Sequence, residues 1–307
     1  MKFNIPIVII VYNRPKHTEK LLNIIKNVNP RILVIISDGP KNNKTDKLKC
    51  RKVKEVIENI NLGCKKIYIS SKENIGLKYR IYSGLNIFFK KFSKGIILED
   101  DCIPVKSFFY YCRSMLKTFK NEKRISKISG CKHNDLSIAN SFYFSKFGSI
   151  WGWATWRRSW NEFDIDIKFW PKYKISEKWI KDCPDIVERS FWNNLFDKVY
   201  IGEINSWAYP FLLNNFYKNK LSIVPKYNLI RNVGFGKDST NTKIYNKKFF
   251  PKTKFFEKKI KYPDDIKQFI KADNIDFSNV YGGYRRNKYP LKFFYMIYLK
   301  LIKFIFK

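Results

Sequence analysis

Ile5 to Tyr12 is a nearly unbroken apolar run rich in β-branched residues, broken only by Pro6. Runs of this kind suit a parallel strand covered on both faces. Asn13-Arg14-Pro15 ends it, and the three- and four-residue spacing of Leu21, Leu22, Ile25 and Val28 predicts a helix. The alternation repeats. Arg31 to Ile36 reads as a second buried strand, closed by the turn cluster Ser37-Asp38-Gly39-Pro40, and Leu48 to Ile60 as a helix. Lys66 to Ser70 is a third strand, with Glu73-Asn74-Ile75-Gly76 as its turn and Leu77 to Phe92 as its helix. Gly95 to Leu98 is a fourth, and it stops on the consecutive acids Glu99, Asp100 and Asp101. Successive strand–helix units predict an α/β fold with a parallel sheet and right-handed crossovers. The polar strand ends then line one edge of that sheet.

Further along, Phe108 to Phe119 predicts a helix and Lys127 to Gly130 a fifth strand. Trp151, Trp153, Trp156 and Trp160 follow within ten residues. They suit either sugar stacking or a tightly packed inter-domain joint. Glu188 to Tyr200 and Trp207 to Tyr217 have helical patterns, Leu221 to Val224 is a short strand, and Gly234 to Thr242 suits a mobile loop over a site. In the last 17 residues, Leu291 to Lys307, the helical period of about 100° per residue gathers Lys292, Lys300, Lys303 and Lys307 within roughly 80°. The rest of the circumference is apolar, which fits a basic amphipathic helix lying in a membrane interface. A final helix packed on the core is the alternative.

Composition narrows the class. With 307 residues, 45% hydrophobic and 18% aromatic, the chain is globular and can bury a sizeable core. No run of about 20 apolar residues suggests a spanning helix, and the start of the chain has no cleavage-site pattern. Six scattered cysteines without a Cys-x-x-Cys pair suggest reduced thiols in a cytosolic setting, and two histidines exclude a histidine-rich metal site. The formal charge of +35 favours anionic partners, although abundant Lys beside only four Ala also fits an AT-rich coding bias. Charge and aromatics alone would allow a nucleic-acid binder, which is disfavoured. The first strand is followed by neither Gly-x-Gly-x-x-Gly nor a Walker sequence, which disfavours a dinucleotide or P-loop site.

The candidate chemistry lies at the fourth strand's tip. Carboxylates at the carboxyl end of a buried strand project into the crevice where α/β proteins bind ligands. Crowded acids need compensation, for which a divalent cation sharing its shell with a diphosphate is suited. A solvated acidic loop is the plain alternative.

These features together resemble a nucleotide-sugar glycosyltransferase of the GT-A fold. The segment Ile96 to Phe109 around Glu99-Asp100-Asp101 is similar to the acid-motif region of animal N-acetylglucosaminyltransferase I. The chain to about Thr242 resembles bacterial relatives of family-two type, through Val11-Tyr12-Asn13-Arg14-Pro15, Asp38-Gly39, Asn74-x-Gly76, Trp151 to Trp156 and Ser222 to Gly236. The resemblance implies a mainly parallel central sheet flanked by helices. It implies a catalytic domain over residues 1–245, with a nucleotide-binding half (1–105) and an acceptor half (106–245). An extension or linker at 246–290 and the helix at 291–307 follow. Tyr12, Asn13, Arg14, Asp38, Asn74, Arg80, Glu99 and Asp100 would hold the nucleoside-diphosphate (UDP-type) donor. Asp101 would bind Mn²⁺ or Mg²⁺, and Trp151, Trp153 and Trp207 would meet the acceptor or sugar. The implied activity is inverting transfer to a glycan or lipid-linked acceptor in surface polysaccharide synthesis; the last 60 residues lie outside the resemblance, and their basic helix places that activity on the inner face of the cell membrane.

The chain departs from that pattern where a base is needed. Relatives commonly read Asp-Thr-Trp-Asp-Tyr where this chain has Asn205-Ser206-Trp207-Ala208-Tyr209, and Thr-His-Thr where it has Thr240-Asn241-Thr242. Glu203 is the nearby carboxylate that would substitute. The competing reading is a degenerate relative that binds a nucleotide sugar or a partner transferase without turnover.

Overall fold

The computed structural model describes residues 2–234, 251–257, 259–283, 293, 294, 297, 298 and 301. The first hundred residues follow the predicted alternation: β1 (Ile7–Val11), α1 (Pro15–Lys26), β2 (Ile32–Ser37), α2 (Lys44–Asn59), β3 (Lys65–Ser70), α3 (Leu77–Lys91) and β4 (Lys94–Glu99). Helix α2 begins four residues before the apolar period does, because Asn43 caps it by accepting from the Asp46 backbone N–H at 2.8 Å.

Then come β5 (Cys102–Pro104), α4 (Lys106–Thr118), β6 (Ile125–Ser129), β7 (Phe142–Ser145), β8 (Trp153–Trp156) and α5 (Arg157–Trp160). The chain continues through α6 (Trp170–Lys174), α7 (Glu177–Asp182), α8 (Ile186–Tyr200), α9 (Ala208–Tyr217), β9 (Leu221–Pro225), β10 (Ile230–Asn232) and α10 (Ile270–Val280).

Eight strands form one sheet in the order β3-β2-β1-β4-β8-β6-β9-β7, and β10 pairs with β5 in a small antiparallel ribbon. The four leading strands are mutually parallel, whereas β8 runs antiparallel between β4 and β6. This is a mixed α/β architecture with a large central sheet flanked by helices. Strand β8 is a product of the tryptophan segment, and β7 pairs antiparallel with β9.

Strand alternation divides the core. Ile7, Ile9, Leu33, Ile96 and Leu98 face one way, with Leu21 and Ile25 of α1, Val53 of α2 and Phe108 of α4. Val8, Ile10, Val34 and Ile97 face the other, with Leu85 and Phe88 of α3 and the Trp153–Trp160–Trp207 group. A third, aromatic cluster holds α6 to α9 together through Trp170, Trp179, Trp192 and Phe216.

The described part of the stretch expected as an extension or linker packs back on this body. The Phe256 ring centroid lies 4.7 Å from that of Tyr111, the Ser141 N–H donates to Lys261 O while the Lys261 N–H donates to Ser141 Oγ, and α10 buries Ala272, Asp273 and Phe277. Most of the expected helix at 291–307 lies outside the described residues. The five of its residues that are described are helical, and each is exposed.

Candidate active site

The chain winds outward from β1 through β2 to β3, then returns to lay β4 on the other side of β1. That reversal opens a crevice beyond the carboxyl ends of β1 and β4, the place where open α/β sheets bind ligands. Tyr12-Asn13-Arg14 leaves β1 there, and Glu99-Asp100-Asp101 leaves β4. The Asp100 backbone N–H still donates to Ile10 O at 3.1 Å, so the acid turn is registered against β1.

Arg14 bridges the two strand ends. Its Nη1 donates to Asp100 Oδ1 at 3.2 Å and to Asp101 Oδ2 at 3.0 Å. The side chains are 18%, 8% and 16% exposed, so water screens the group only weakly. Burial lowers the guanidinium pKa, but the two neighbouring acids outweigh it and raise the net value. Burial pushes Asp100 up to about 7, with Arg14 opposing and Asp101 adding to the rise. Burial, then repulsion from Asp101 and Asp100, lifts Glu99 to about 8. One guanidinium does not fully compensate this cluster.

The β5–β10 ribbon closes the far side. Asn232 stands opposite Cys102 and donates from Nδ2 to Asp101 Oδ1 at 3.5 Å, while the Val233 N–H donates to Asp101 O at 2.9 Å. A Cβ at Gly234 would collide with the Asp101 carboxylate, so the backbone needs glycine to pass there. Asn232 is a site residue that sequence reasoning missed as such. It lay within a matched segment, but nothing local linked it to an acid 131 positions away.

Tyr12 and Asn13 point toward α2. Tyr12 Oη donates to Asp46 Oδ2 at 2.5 Å, Asn13 Nδ2 to Asp46 Oδ1 at 2.6 Å, and the Lys41 N–H to Asp46 Oδ2 at 2.7 Å. Burial works against the Asp46 carboxylate, but these donors outweigh it and hold its pKa below the ordinary value. Burial and then Asp46 itself raise the Tyr12 pKa. Asp46 is therefore the anchor that orients the first strand's tip, and it too was missed. The Asn43-x-x-Asp46 spacing, a helix-capping signal, was the available clue.

Asp38 ties the second strand's tip to the third. Its carboxylate accepts from the N–H groups of Gly39 at 3.0 Å, Ile75 at 3.1 Å and Gly76 at 2.9 Å, and Asn74 Nδ2 donates to Gly39 O at 2.9 Å. Both residues thus hold the turns beside the crevice in place. Arg80, in the first turn of α3, is 6% exposed, with its Nη2 beside Gly84.

Of the three tryptophans assigned to acceptor or sugar, Trp153 and Trp207 are buried and stacked at 5.7 Å. Trp151 is partly buried, with its ring 5.7 Å from that of His133. Ala208 opens α9 and packs against the same apolar cluster as Trp207. Glu203 is exposed in the turn between α8 and α9. Thr240, Asn241 and Thr242 lie outside the described residues, as does all but the first residue of the expected loop.

The acid tip fits a hard divalent cation in its donor chemistry. Carboxylate oxygens are the ligands such ions prefer, and the uncompensated charge around Glu99 and Asp100 favours added positive charge. No group of three or more possible ligating side chains converges among the described residues.

No family model matches the chain, and no curated protein matches it. Among solved structures, it is similar to the mannosyltransferase PcManGT from Pyrobaculum calidifontis in complex with GDP-Man and Mn²⁺. That match has a TM-score of 0.39 and 11% identity, over 71% of this chain and 70% of that one. It is also similar to a UDP-glucose pyrophosphorylase complexed with UDP-glucose, with a TM-score of 0.36 and 9% identity, over 76% of this chain and 92% of that one.

Proposed function

We propose that the chain is a metal-dependent, inverting glycosyltransferase that takes a sugar from a nucleoside diphosphate, UDP on this reading, to a glycan or lipid-linked acceptor. The observation that carries it is the meeting of Arg14 with Asp100 and Asp101 at the switch point between β1 and β4. Tyr12 and Asn13, fixed by Asp46, form the donor's nucleoside side, and the turns held by Asp38 and Asn74 bound it. Asp101 is the metal ligand, with Glu99 and Asp100 toward ribose or sugar. Mn²⁺ or Mg²⁺, when bound, neutralises charge that develops on the departing diphosphate. Arg14 is the protein's own cation for that charge, already desolvated and oriented by the acids it bridges. Glu203 takes the proton from the acceptor hydroxyl, and Trp151 is the aromatic at the acceptor side that is not fully buried.

Membrane contact belongs to the same reading. Phe293, Phe294, Ile297, Tyr298 and Leu301 share one face at helical spacing and are 39% to 61% exposed, a surface suited to the headgroup boundary of the inner leaflet. No helix among the described residues is long and apolar enough to cross a membrane.

The second reading, a nucleotide-sugar binder without turnover, is favoured by Ala208. Its position offers the apolar cluster a methyl group where relatives of the resembled type carry an acid. Mn²⁺-dependent UDP release from a panel of UDP-sugars, with membrane extract as acceptor, separates the two. Release with one donor supports transfer. Measurable UDP binding with no release from any donor supports the binder.

A further inference from the structure

Arg80 is the least expected charge in the molecule. It is 6% exposed, and its Nε and Nη2 are buried with no hydrogen-bond partner among the described residues. Asp38 is the acid whose charge reaches it, yet that carboxylate is already engaged by three backbone N–H groups. Burial accordingly lowers the Arg80 pKa, with Asp38 only opposing. Leaving a guanidinium buried without hydrogen bonds is costly, so its surroundings bear on what it is for.

Those surroundings are a cavity of about 240 Å³ between α3 and β3, the edge strand of the sheet. Arg80 lines one part of it, toward the Ser70 end of β3, and Lys91 lines another, at the last position of α3. Ile67, Phe88 and Phe92 make the wall between them apolar. Gly84 provides the space for the guanidinium. A Cβ there would stand 2.5 Å from Ile36 Cγ2 and 3.1 Å from Arg80 Nη2. The arrangement is a small cavity lined in part by a largely buried guanidinium, whose Nε and Nη2 are closed off from solvent, and by an apolar wall. Charge-assisted hydrogen bonds to an oxyanion are strongest in such a setting.

We propose that the α3–β3 groove is a second ligand site, separate from the crevice at the β1 and β4 tips, which binds a small oxyanion carrying an apolar body. Arg80 is its anchoring donor. Lys91, exposed at the rim, adds attraction without a fixed bond. The apolar wall selects against the bare ion, because inorganic phosphate would leave Ile67, Phe88 and Phe92 uncovered. A carboxylate and a phosphate monoester share the required chemistry.

Calorimetric titration of the full chain with phenyl phosphate, benzoate and inorganic phosphate tests this. One of the two ring-bearing anions is expected to saturate a single site, the tighter one naming the oxyanion, with inorganic phosphate at least tenfold weaker. Arg80→Met should weaken that binding at least tenfold, and the exposed Lys91→Glu about threefold. Lys91→Glu should leave UDP affinity unchanged, and UDP should not displace the probe. Probe binding in a protein that fails to bind UDP would uphold this site while removing the donor site. Arg80→Met should also melt no lower than the parent, since it removes a buried charge that has no partner. A lower melting temperature would instead make Arg80 a structural pair. That result, displacement of the probe by UDP, or the absence of saturable binding of either ring-bearing anion overturns the proposal.

Discussion

Replacing Arg14 by Gln tests the electrostatics of the acid tip most directly. The substitution removes the cation that lies 3.2 Å from Asp100 and 3.0 Å from Asp101. All three side chains are less than one-fifth exposed. Removing one partner of a buried pair costs about 3–5 kcal/mol, because the remaining charge is left uncompensated. The lower end applies here, since the carboxylates keep some contact with water. About 3 kcal/mol corresponds to a fall of roughly 5 °C in melting temperature for a chain of this size. A divalent ion at the same acids should restore most of that loss. At 100 times its Kd, a ligand of the native state contributes about 2.7 kcal/mol. Thermal melts of the parent and Arg14→Gln at pH 8, each with and without Mn²⁺, measure both quantities. The expected pattern is a large loss without metal that is nearly closed with it. If Mn²⁺ raises neither protein, the acids do not form a cation site and the assignment of Asp101 falls with them; an equal rise in both would mean that the ion does not take over the role of Arg14.

Asp101→Ala should abolish Mn²⁺-dependent UDP binding, read by titration; an unchanged affinity would remove Asp101 from the site. Asp46→Ala strands Tyr12 Oη, Asn13 Nδ2 and the Lys41 N–H. At about 1–3 kcal/mol for each group left unsatisfied, discounted for water access, it should destabilise by about 2 kcal/mol and weaken UDP binding; a neutral effect on both would show that the strand tip holds itself. Deleting residues 291–307 should release the protein from anionic liposomes while sparing the fold, and pelleting of the truncated chain would refute the interfacial helix. Burial lifts Asp276 to about 7 and Asp273 to about 6. Folded-state pKa values raised above the unfolded 3.8 contribute stability that is complete below pH 3.8 and lost as pH rises through about 6 to 7. Amide exchange across α10, corrected for its intrinsic pH dependence, should therefore be slower at pH 5 than at pH 8, and Asp276→Asn should flatten the difference.

The alternation of apolar runs and amphipathic periods made the parallel half of the sheet legible, because β1, β2 and β4 are covered on both faces, with only the edge strand β3 half exposed, and their neighbours are set by local crossovers. Strands β5, β7 and β10 are three or four residues long, and α6 and α7 five and six. Such elements owe their form to partners far along the chain, which no local period records. The tryptophan segment shows the same limit. Its composition allowed stacking surface or packed joint, and only the pairing of β8 between β4 and β6 reveals that Trp153 and Trp156 are core. At the site, the strand tips were visible as polar residues ending apolar runs. Their partners were not. Asp46 and Asn232 reach the tips across 33 and 131 positions, and a lone acid in a lysine-rich helix start reads as an ordinary cap. Arg80 was visible as a residue near the right turn, but its direction depends on the space at Gly84.

On the proposed reading, the acid triplet divides its work because of where it stands on the sheet. Side chains alternate along a strand, so Glu99 follows Ile97 toward the face of Trp153 and Trp207, away from the face that Leu98 shares with α1 and α4. Past the strand's end, Asp100 keeps its backbone bond to Ile10 and turns its carboxylate to Arg14, and Asp101 meets both Arg14 and Asn232. Three adjacent carboxylates in this geometry cannot converge on one ion as a three-ligand set. One or two of them can, provided that substrate oxygens complete the shell. On that account metal and nucleotide should bind with positive coupling, each raising the other's affinity by the same factor, as linkage requires. Titrating UDP with and without Mn²⁺, and Mn²⁺ with and without UDP, gives two coupling factors that must agree. An ion that binds Asp101 as tightly without UDP as with it would mean that the protein alone supplies the shell. The division of labour among Glu99, Asp100 and Asp101 would then be wrong.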